Sequence, residues 1–191
     1  WLNETHLVGR ALDNRMGGFM IAEVARQLSE NKDKLPFTVY LVNSVQEEIG
    51  LRGAEMISRR LQPDVAIITD VTHDTCSPLY NKKQQGDCKC GKGAVVTYGP
   101  AVQNNLLQSI IGVAKSNEIA IQRNAVSRST GTDTDSFAYS GMGVASALIS
   151  LPLKYMHTTV ETVHMDDVNS CIQLMYQTVK SLKAGQTFNY I

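Results

Sequence analysis

The sequence lacks an excess of either charge, and it is poor in cysteine. Eighteen Lys and Arg residues balance eighteen Asp and Glu residues, so the formal net charge is zero. A chain without a basic excess has no electrostatic reason to bind nucleic acid or an anionic membrane surface, and we expect neither partner. The four cysteines are too few and too irregularly spaced for a disulfide framework, which favours a reduced, cytoplasmic protein.

Long hydrophobic runs are missing as well. The longest uncharged stretch, residues 136–153, contains Ser, Gly, Tyr and Pro, a composition typical of a helix, a turn and a strand rather than a membrane span. No signal peptide is recognised. The chain opens at Trp1 without an initiator Met, so we expect a processing or fragment boundary there. Its 191 residues suffice for one domain with a sizeable core.

Helical and strand patterns alternate along the chain. Apolar residues repeat with helical spacing over residues 16–28, and a β-branched and aromatic run follows at residues 37–45. Similar patterns predict further helices at 53–61, 102–115 and 166–182, and a turn that leads into a helix at 131–139. They also predict strands at 64–71, 93–98, 119–122 and 144–150, and a loop or edge hairpin at 82–92. This alternation predicts an α/β fold with a mixed or largely parallel sheet.

Acidic residues and one histidine stand where the predicted strands end. Glu47 and Glu48 follow the strand predicted at residues 37–45, Asp70 closes the next strand, and His157 follows a later one. Asp13 precedes the first helix. Functional sites in such sheets collect at the carboxyl ends of strands. We therefore expect these groups to converge at that end of the sheet, which we call the rim.

A cluster of carboxylates on one rim repels itself unless cations neutralise it. A pair of divalent ions about 3.5–4 Å apart is the usual arrangement in two-metal hydrolases. Zinc suits a set of nitrogen and oxygen ligands, and cobalt or manganese fits the same geometry. Neighbouring side chains of an extended segment point in opposite directions, so one of Glu47 and Glu48 can bind metal while the other acts as general base.

Five sequence blocks occur here in the order seen in the M42 family of dinuclear-metal aminopeptidases, and the chain resembles that family over nearly its whole length. The blocks are ALDNRMG (11–17), SVQEEIGLRGA (44–54), IITDVTHDT (67–75), STGTDTDSFAYSG (129–141) and LPLKYMHTTVE (151–161). The resemblance implies a three-layer domain, in which helices flank a mixed, mostly parallel sheet. It also implies hydrolysis of the N-terminal peptide bond of peptides.

The resemblance also implies a role for each rim residue. Asp13 corresponds to the carboxylate that bridges two divalent ions, zinc or cobalt or else manganese. Glu47 corresponds to the general base, and Glu48 to a ligand of one ion. His157 corresponds to a second ligand of that same ion, and Asp70 to a ligand of the other.

Two parts of the family pattern have no counterpart in this sequence: an earlier histidine ligand and an inserted β-rich domain used in oligomer assembly. We therefore expect residues 1–191 to form a single, partial catalytic domain that lacks the first strands. His6 or His73 could replace the missing ligand, since each stands close to a rim block. The longer parent is expected to form a dodecamer-type homo-oligomer.

Other interpretations remain open at this point. Asp13 could be only a helix N-cap, Asp70 a turn acid at a strand end, and His157 a surface residue. The chain could also be a catalytically silent fragment that serves as a folded interaction domain. A glycosidase is the third alternative, although its two carboxyl groups need no metal and explain the histidine less well.

Overall fold

The computed structural model of the chain describes residues 1–32, 34–78, 80–188 and 190. The helices in this part of the chain are α1 (Leu12–Glu30), α2 (Arg52–Leu61), α3 (Lys82–Gln85), α4 (Asn104–Ser116), α5 (Asp133–Ala138) and α6 (Met165–Ser181). The strands are β1 (His6–Gly9), β2 (Val65–His73), β3 (Ala94–Tyr98), β4 (Ile121–Ala125), β5 (Ala145–Lys154) and β6 (Glu161–His164). None of these helices is both long and apolar enough to cross a membrane.

The strands form one mixed sheet with β5 at its centre. Its order is β1-β6-β5-β3-β4, and β2 pairs with β5 along its whole length. The β2–β5 and β3–β4 pairs are parallel, whereas β1–β6, β3–β5 and β5–β6 are antiparallel. The apolar run of β5 is almost entirely buried because both faces of the sheet are covered.

Helices cover both faces of this sheet and bury two apolar clusters. On one face α1, α4 and α6 pack together over a large core that includes Met20, Leu106 and Ile149, all fully buried. On the other face α2 and α5 enclose a smaller cluster around Ala54 and Phe137. Burial of each large apolar side chain contributes about 1.5–3 kcal/mol. The predicted α/β class, with a mixed sheet between helices, is confirmed.

One predicted strand is wrong. Residues 37–45 form no strand in the described structure, and Tyr40, Leu41 and Val45 are 61%, 48% and 65% exposed. A β-rich composition marks residues that fit a pleated surface, but a strand also needs a neighbour to pair with. No described strand lies beside this segment, so the composition alone does not form a strand.

The sequence patterns missed β1 and β6, which are four residues each and pair with one another. Such short strands carry too little periodicity to be recognised. The loop predicted at residues 82–92 contains the short helix α3. Asp13 lies within the bounds of α1, but its backbone and that of Asn14 are non-helical, so Asp13 precedes the regular part of the helix as predicted.

Candidate metal centre

Asp13 is presented by an irregular first turn of α1. Ala11 precedes the helix in the left-handed conformation, and the backbone of Asp13 and Asn14 departs from helical angles. The peptide bond between Asp13 and Asn14 is cis. Ala11 provides no capping side chain, and the regular part of the helix is capped by Asn14, whose Oδ1 accepts a hydrogen bond from the backbone N–H of Gly17 at 2.8 Å. The Asp13 carboxylate lies instead beside Glu48 and His157 at the rim. The simple capping interpretation of Asp13 is therefore wrong.

Glu161, at the start of β6, holds two rim segments together. Its Oε2 accepts a hydrogen bond from the backbone N–H of Asp13 at 3.1 Å, and its Oε1 accepts one from the backbone N–H of His157 at 2.9 Å. The Glu161 side chain is only 2% exposed. A buried carboxylate is costly unless it is hydrogen-bonded, and here both oxygens are used to fix the positions of Asp13 and His157.

The loop that carries Glu47 and Glu48 is a tight turn between residues 37–45 and α2. The carbonyl of Glu47 accepts hydrogen bonds from the N–H groups of Gly50 (3.1 Å) and Leu51 (3.0 Å). Gly50 has φ of 114°, a conformation that glycine adopts without strain. The two glutamates point differently, because Glu48 reaches His157 while Glu47 turns back into a half-buried position.

Asp13, Glu48 and His157 form a three-residue centre. The Nε2 atom of His157 lies 3.2 Å from Oδ2 of Asp13 and 3.3 Å from Oε2 of Glu48, and the three ligand atoms all lie within 4.8 Å of one another. Atoms that each bind one zinc-sized ion at about 2.0–2.2 Å lie roughly 3–3.5 Å apart. The chemistry and spacing of this donor set therefore fit a divalent cation.

The carboxylates around this centre are difficult to ionise without a cation. Burial raises the pKa of Asp13 to about 6, that of Glu47 to about 7 and that of Asp70 to about 8. Repulsion among the carboxylates adds to each shift, with Glu48 acting on Asp13 and Glu47. A positive ion among them would favour the charged forms and reverse these shifts.

The predicted site residues are thus only partly brought together. Asp70 lies inside β2 rather than at its end, because the strand continues to His73, and its oxygens are outside the three-residue centre. It is nevertheless close enough to Glu47 and Asp13 for their charges to raise its pKa. Glu47 also lies outside the centre.

Neither of the two histidines considered as replacements joins the three-residue centre. The ring of His6 packs edge-on against that of His164, with 4.7 Å between centroids. His73 lies nearer to the rim: its Nδ1 is 2.7 Å from the Tyr80 hydroxyl, and the charge of His157 contributes, after burial, to lowering its pKa.

Two residues of the rim were not predicted from the sequence. Glu161 is the first, and the only sequence feature that could have indicated its role is its place at the end of the block 151–161. Asp133, at the start of α5, is the second. The hydroxyl of Ser44 donates a hydrogen bond to Asp133 Oδ2, while the buried Oδ1 finds no partner among the described residues. Burial raises the pKa of Asp133, and its charge raises that of Glu47.

Comparison with known proteins identifies relatives of this arrangement. The sequence profile of the M42 glutamyl aminopeptidase family matches residues 1–174. A lysyl aminopeptidase of Pyrococcus furiosus is 38% identical over 182 residues, which cover 95% of this chain and 51% of that protein.

Two solved structures share the fold. The structure of a TET aminopeptidase from a thaumarchaeotal marine sediment archaeon matches with a TM-score of 0.88 and 30% identity over 94% of this chain and 50% of that one. The TET1 peptidase of Pyrococcus horikoshii matches with a TM-score of 0.79 and 29% identity over 95% and 52%. This chain thus spans about half the length of the relatives that it matches. It belongs to the M42 glutamyl aminopeptidase family.

Proposed function

We propose that this chain provides the metal-binding rim of an aminopeptidase that removes N-terminal residues from peptides. The observation that supports this most directly is the centre formed by Asp13, Glu48 and His157, with the half-buried carboxyl group of Glu47 beside it. The names of relatives in the same family, lysyl and glutamyl aminopeptidase, support the reaction class. These names specify different N-terminal residues of the substrate, so they do not indicate which N-terminal residue this chain prefers.

We assign the metal ligands as two groups. Asp13, Glu48 and His157 would hold one divalent ion, and Asp70 would contribute to a second ion bridged by Asp13. Zinc and cobalt suit these ligands, and manganese fits as well. Bound ions of this kind lower the pKa of a water molecule and polarise a carbonyl group. Binding of the second ion would depend on Asp70, which lies outside the three-residue centre.

Glu47 is the proposed general base. Its carboxyl group is half-buried beside the centre without being one of its three ligands, which suits a group that accepts a proton and returns it to the leaving amine. Burial and neighbouring carboxylates raise its pKa to about 7 in the metal-free protein, and a bound ion would lower this pKa and keep the group in its proton-accepting form. Glu48, its neighbour, is 56% exposed and is directed at His157, so the two glutamates have separate roles. Glu161 keeps Asp13 and His157 in position and touches no reacting atom.

The experiment that tests this function compares Glu47→Gln, Glu48→Gln and Asp13→Ala, with the exposed Glu4→Gln as the control. We measure bound zinc, cobalt and manganese per chain after dialysis, and release of chromophore from aminoacyl anilides with and without chelator. Glu47→Gln should retain metal and lower turnover by about 10²–10⁴-fold. Asp13→Ala should lose metal and activity.

The outcomes also test the assignment within the glutamate pair. If Glu47→Gln removes the metal and Glu48→Gln does not, the two roles are reversed. If the unsubstituted chain binds metal but releases no chromophore, the alternative of a silent fragment is favoured for these 191 residues. Turnover of cellulose that is insensitive to chelator would instead support a glycosidase.

We further infer that the whole protein assembles into a homo-oligomer. The solved TET1 peptidase of Pyrococcus horikoshii can assemble into a tetrahedron or an octahedral shell. Its structure matches nearly all of this chain, which supports a similar assembly for the protein from which these residues come.

A further inference from the structure

Two cysteines stand at the two ends of the loop that follows β2. Cys76 is exposed, and Cys88 is buried. The N–H of Thr75 donates a hydrogen bond to the Cys88 carbonyl at 2.9 Å, and the N–H of Cys88 donates one to the Thr75 hydroxyl at 2.9 Å. Cys76 is therefore the chain neighbour of a residue that is bonded directly to Cys88. We call residues 76–88 the cysteine loop.

The spacing of these backbones is close to what a disulfide bond needs. Cα atoms joined by a disulfide lie about 4.4–6.8 Å apart, and consecutive Cα atoms lie about 3.8 Å apart. Because Thr75 is bonded to Cys88, the adjacent Cys76 has to move by less than one residue's length to reach this range. The buried carboxylate of Asp74 ties both ends of the loop together, since it accepts hydrogen bonds from the N–H groups of Cys76 at 2.6 Å and of Cys90 at 2.9 Å.

One lysine contacts both ends of the cysteine loop. The Nζ atom of Lys82 lies 3.7 Å from the Cys76 sulfur and 2.9 Å from Oδ1 of Asp87, the residue before Cys88. Burial raises the pKa of Cys88 to about 12, and the charges of nearby aspartates and of Cys76 add to this shift. The electrostatic effect of Cys76 on Cys88 indicates that the two thiols are close together.

The other two cysteines are engaged with the sheet. The thiol of Cys90 donates a hydrogen bond to the Pro152 carbonyl at 3.5 Å, and the thiol of Cys171 donates one to the Ser150 carbonyl at 3.6 Å. Both carbonyl groups belong to β5. Of the four cysteines, Cys76 is therefore the one that a dissolved oxidant reaches first.

We propose that Cys76 is an oxidation site that forms a reversible disulfide with Cys88 when the protein meets hydrogen peroxide. First, the Cys76 sulfur attacks one oxygen of the peroxide, the O–O bond breaks, and Cys76 becomes a sulfenic acid as one water molecule leaves. Next, the Cys88 sulfur attacks the Cys76 sulfur, the S–O bond breaks, and a second water molecule leaves with the Cys88 proton. The two thiols are oxidised by two electrons, and the peroxide is reduced to two water molecules.

The surroundings of the two thiols set the order of these steps. An ammonium group beside a thiol favours the thiolate, which is the form that attacks an oxidant, and Lys82 places such a group beside Cys76. The raised pKa of Cys88 keeps that thiol protonated and unreactive towards peroxide. Cys76 therefore reacts first and Cys88 second.

The disulfide also bears on the rim. Tyr80 lies within the cysteine loop, and its hydroxyl is 2.7 Å from Nδ1 of His73, with 4.4 Å between the ring centroids. A crosslink between the ends of the loop would restrict its motion and hold Tyr80 against His73. The proposal does not depend on the peptidase assignment, because it rests on the thiols and their contacts alone.

The test exposes the 191-residue chain to hydrogen peroxide in the presence of chelator, which prevents metal-catalysed oxidation. Trypsin cuts after Lys82 and Lys83, between the two cysteines, so the disulfide appears as one crosslinked peptide that dithiothreitol separates. We expect the intact mass to fall by about 2 Da, the mass of the two hydrogen atoms lost. The unfolding temperature should rise by about 5–10 °C and fall again after reduction, because the crosslink restricts the unfolded chain.

Matched variants identify the reacting thiol and the role of Lys82. Cys76→Ser should abolish the crosslinked peptide, whereas Cys90→Ser should leave it intact. Lys82→Gln should slow its formation by at least about threefold, whereas Lys83→Gln, at the next position of α3, should leave the rate unchanged. Circular dichroism checks that all four variants fold.

Two results would overturn the disulfide. One is the absence of the crosslinked peptide, whether Cys76 stays reduced or gains oxygen as a sulfinic acid. The other is a crosslink that joins Cys76 to Cys90 or to a second chain, and non-reducing electrophoresis detects a crosslink between chains. Equal rates in Lys82→Gln and Lys83→Gln would overturn the role of Lys82.

Discussion

The Glu161 carboxylate accepts hydrogen bonds from the two segments that present Asp13 and His157. It lies on β6, far in sequence from α1, so it joins parts of the chain that local sequence does not hold together. Groups that orient metal ligands without touching the metal commonly affect affinity by about 10–100-fold. Glu161 is therefore a positioning residue whose effect should appear in metal binding.

We predict that Glu161→Gln weakens cobalt binding by about 10–100-fold, because the amide offers only one oxygen where the carboxylate offers two. The measurement is a cobalt titration followed by visible absorption, which also reports on the geometry of the ligands. The control is Glu4→Gln, an exposed glutamate that is not one of the three residues of the centre. Unchanged affinity and spectrum in Glu161→Gln would contradict the positioning role.

Asp70 leads to a prediction about pH in the metal-free protein. Its pKa is raised to about 8, chiefly by burial, so the folded state binds a proton that the unfolded state has lost above about pH 4. The free energy of unfolding therefore falls as pH rises from about 4 to 8, since the folded state binds more protons in this range.

Replacement of Asp70 by Asn should remove this dependence. We expect Asp70→Asn to raise the free energy of unfolding by up to about 5 kcal/mol at pH 8 and by only about 1–2 kcal/mol at pH 5. Urea unfolding at the two pH values, in the presence of chelator, measures the difference. A loss of stability at pH 8 would show that the Asp70 carboxylate is not desolvated as described.

At the scale of elements, Gly53 fixes how the glutamate loop enters α2. A Cβ atom at Gly53 would lie 2.3 Å from the carbonyl oxygen of Val45 and 2.6 Å from its nitrogen. Both are backbone atoms, so relief requires the loop itself to move. The position of Glu47 and Glu48 thus depends on the absence of a side chain at residue 53.

We predict that Gly53→Ala lowers the free energy of unfolding by about 1–3 kcal/mol and also weakens metal binding, because the displaced loop carries Glu48. The control is Gly112→Ala in α4, where a Cβ meets nothing within 4 Å. That change should be neutral or stabilising by about 0.4–1 kcal/mol. Thermal unfolding and cobalt titration of both variants measure the effects, and equal behaviour of the two would contradict this account.

Elements with strong periodicity were predictable from the sequence, whereas elements defined by partners were not. The helix at residues 166–182 and the strand at 64–71 match α6 and β2 because each buries a full apolar face or run. The segment at 37–45 has the composition of a strand but lacks a neighbour. Prediction of the site has the same limit. Residue types and positions indicated Asp13 and His157, but the contacts of Glu161 with residues distant in sequence could not be predicted from local patterns.

At the scale of the whole molecule, the candidate metal centre ties together segments that are distant in sequence. Asp13 lies at the start of α1, Glu48 in the loop before α2, and His157 in the turn after β5. An ion held by these three residues would bind the folded state and not the unfolded chain. Metal binding should therefore stabilise the entire fold, in addition to its proposed catalytic role.

The last prediction concerns that coupling. At a free ion concentration about one hundred times the dissociation constant, zinc or cobalt should raise the free energy of unfolding by about 2.7 kcal/mol. For a chain of this size this corresponds to an increase of roughly 5–10 °C in the unfolding temperature. Differential scanning calorimetry of chelator-treated protein, with and without added ion, measures the shift. Asp13→Asn should lose the shift because it removes a ligand, whereas Glu4→Gln should keep it. An equal shift in Asp13→Asn would place the stabilising ion elsewhere on the molecule.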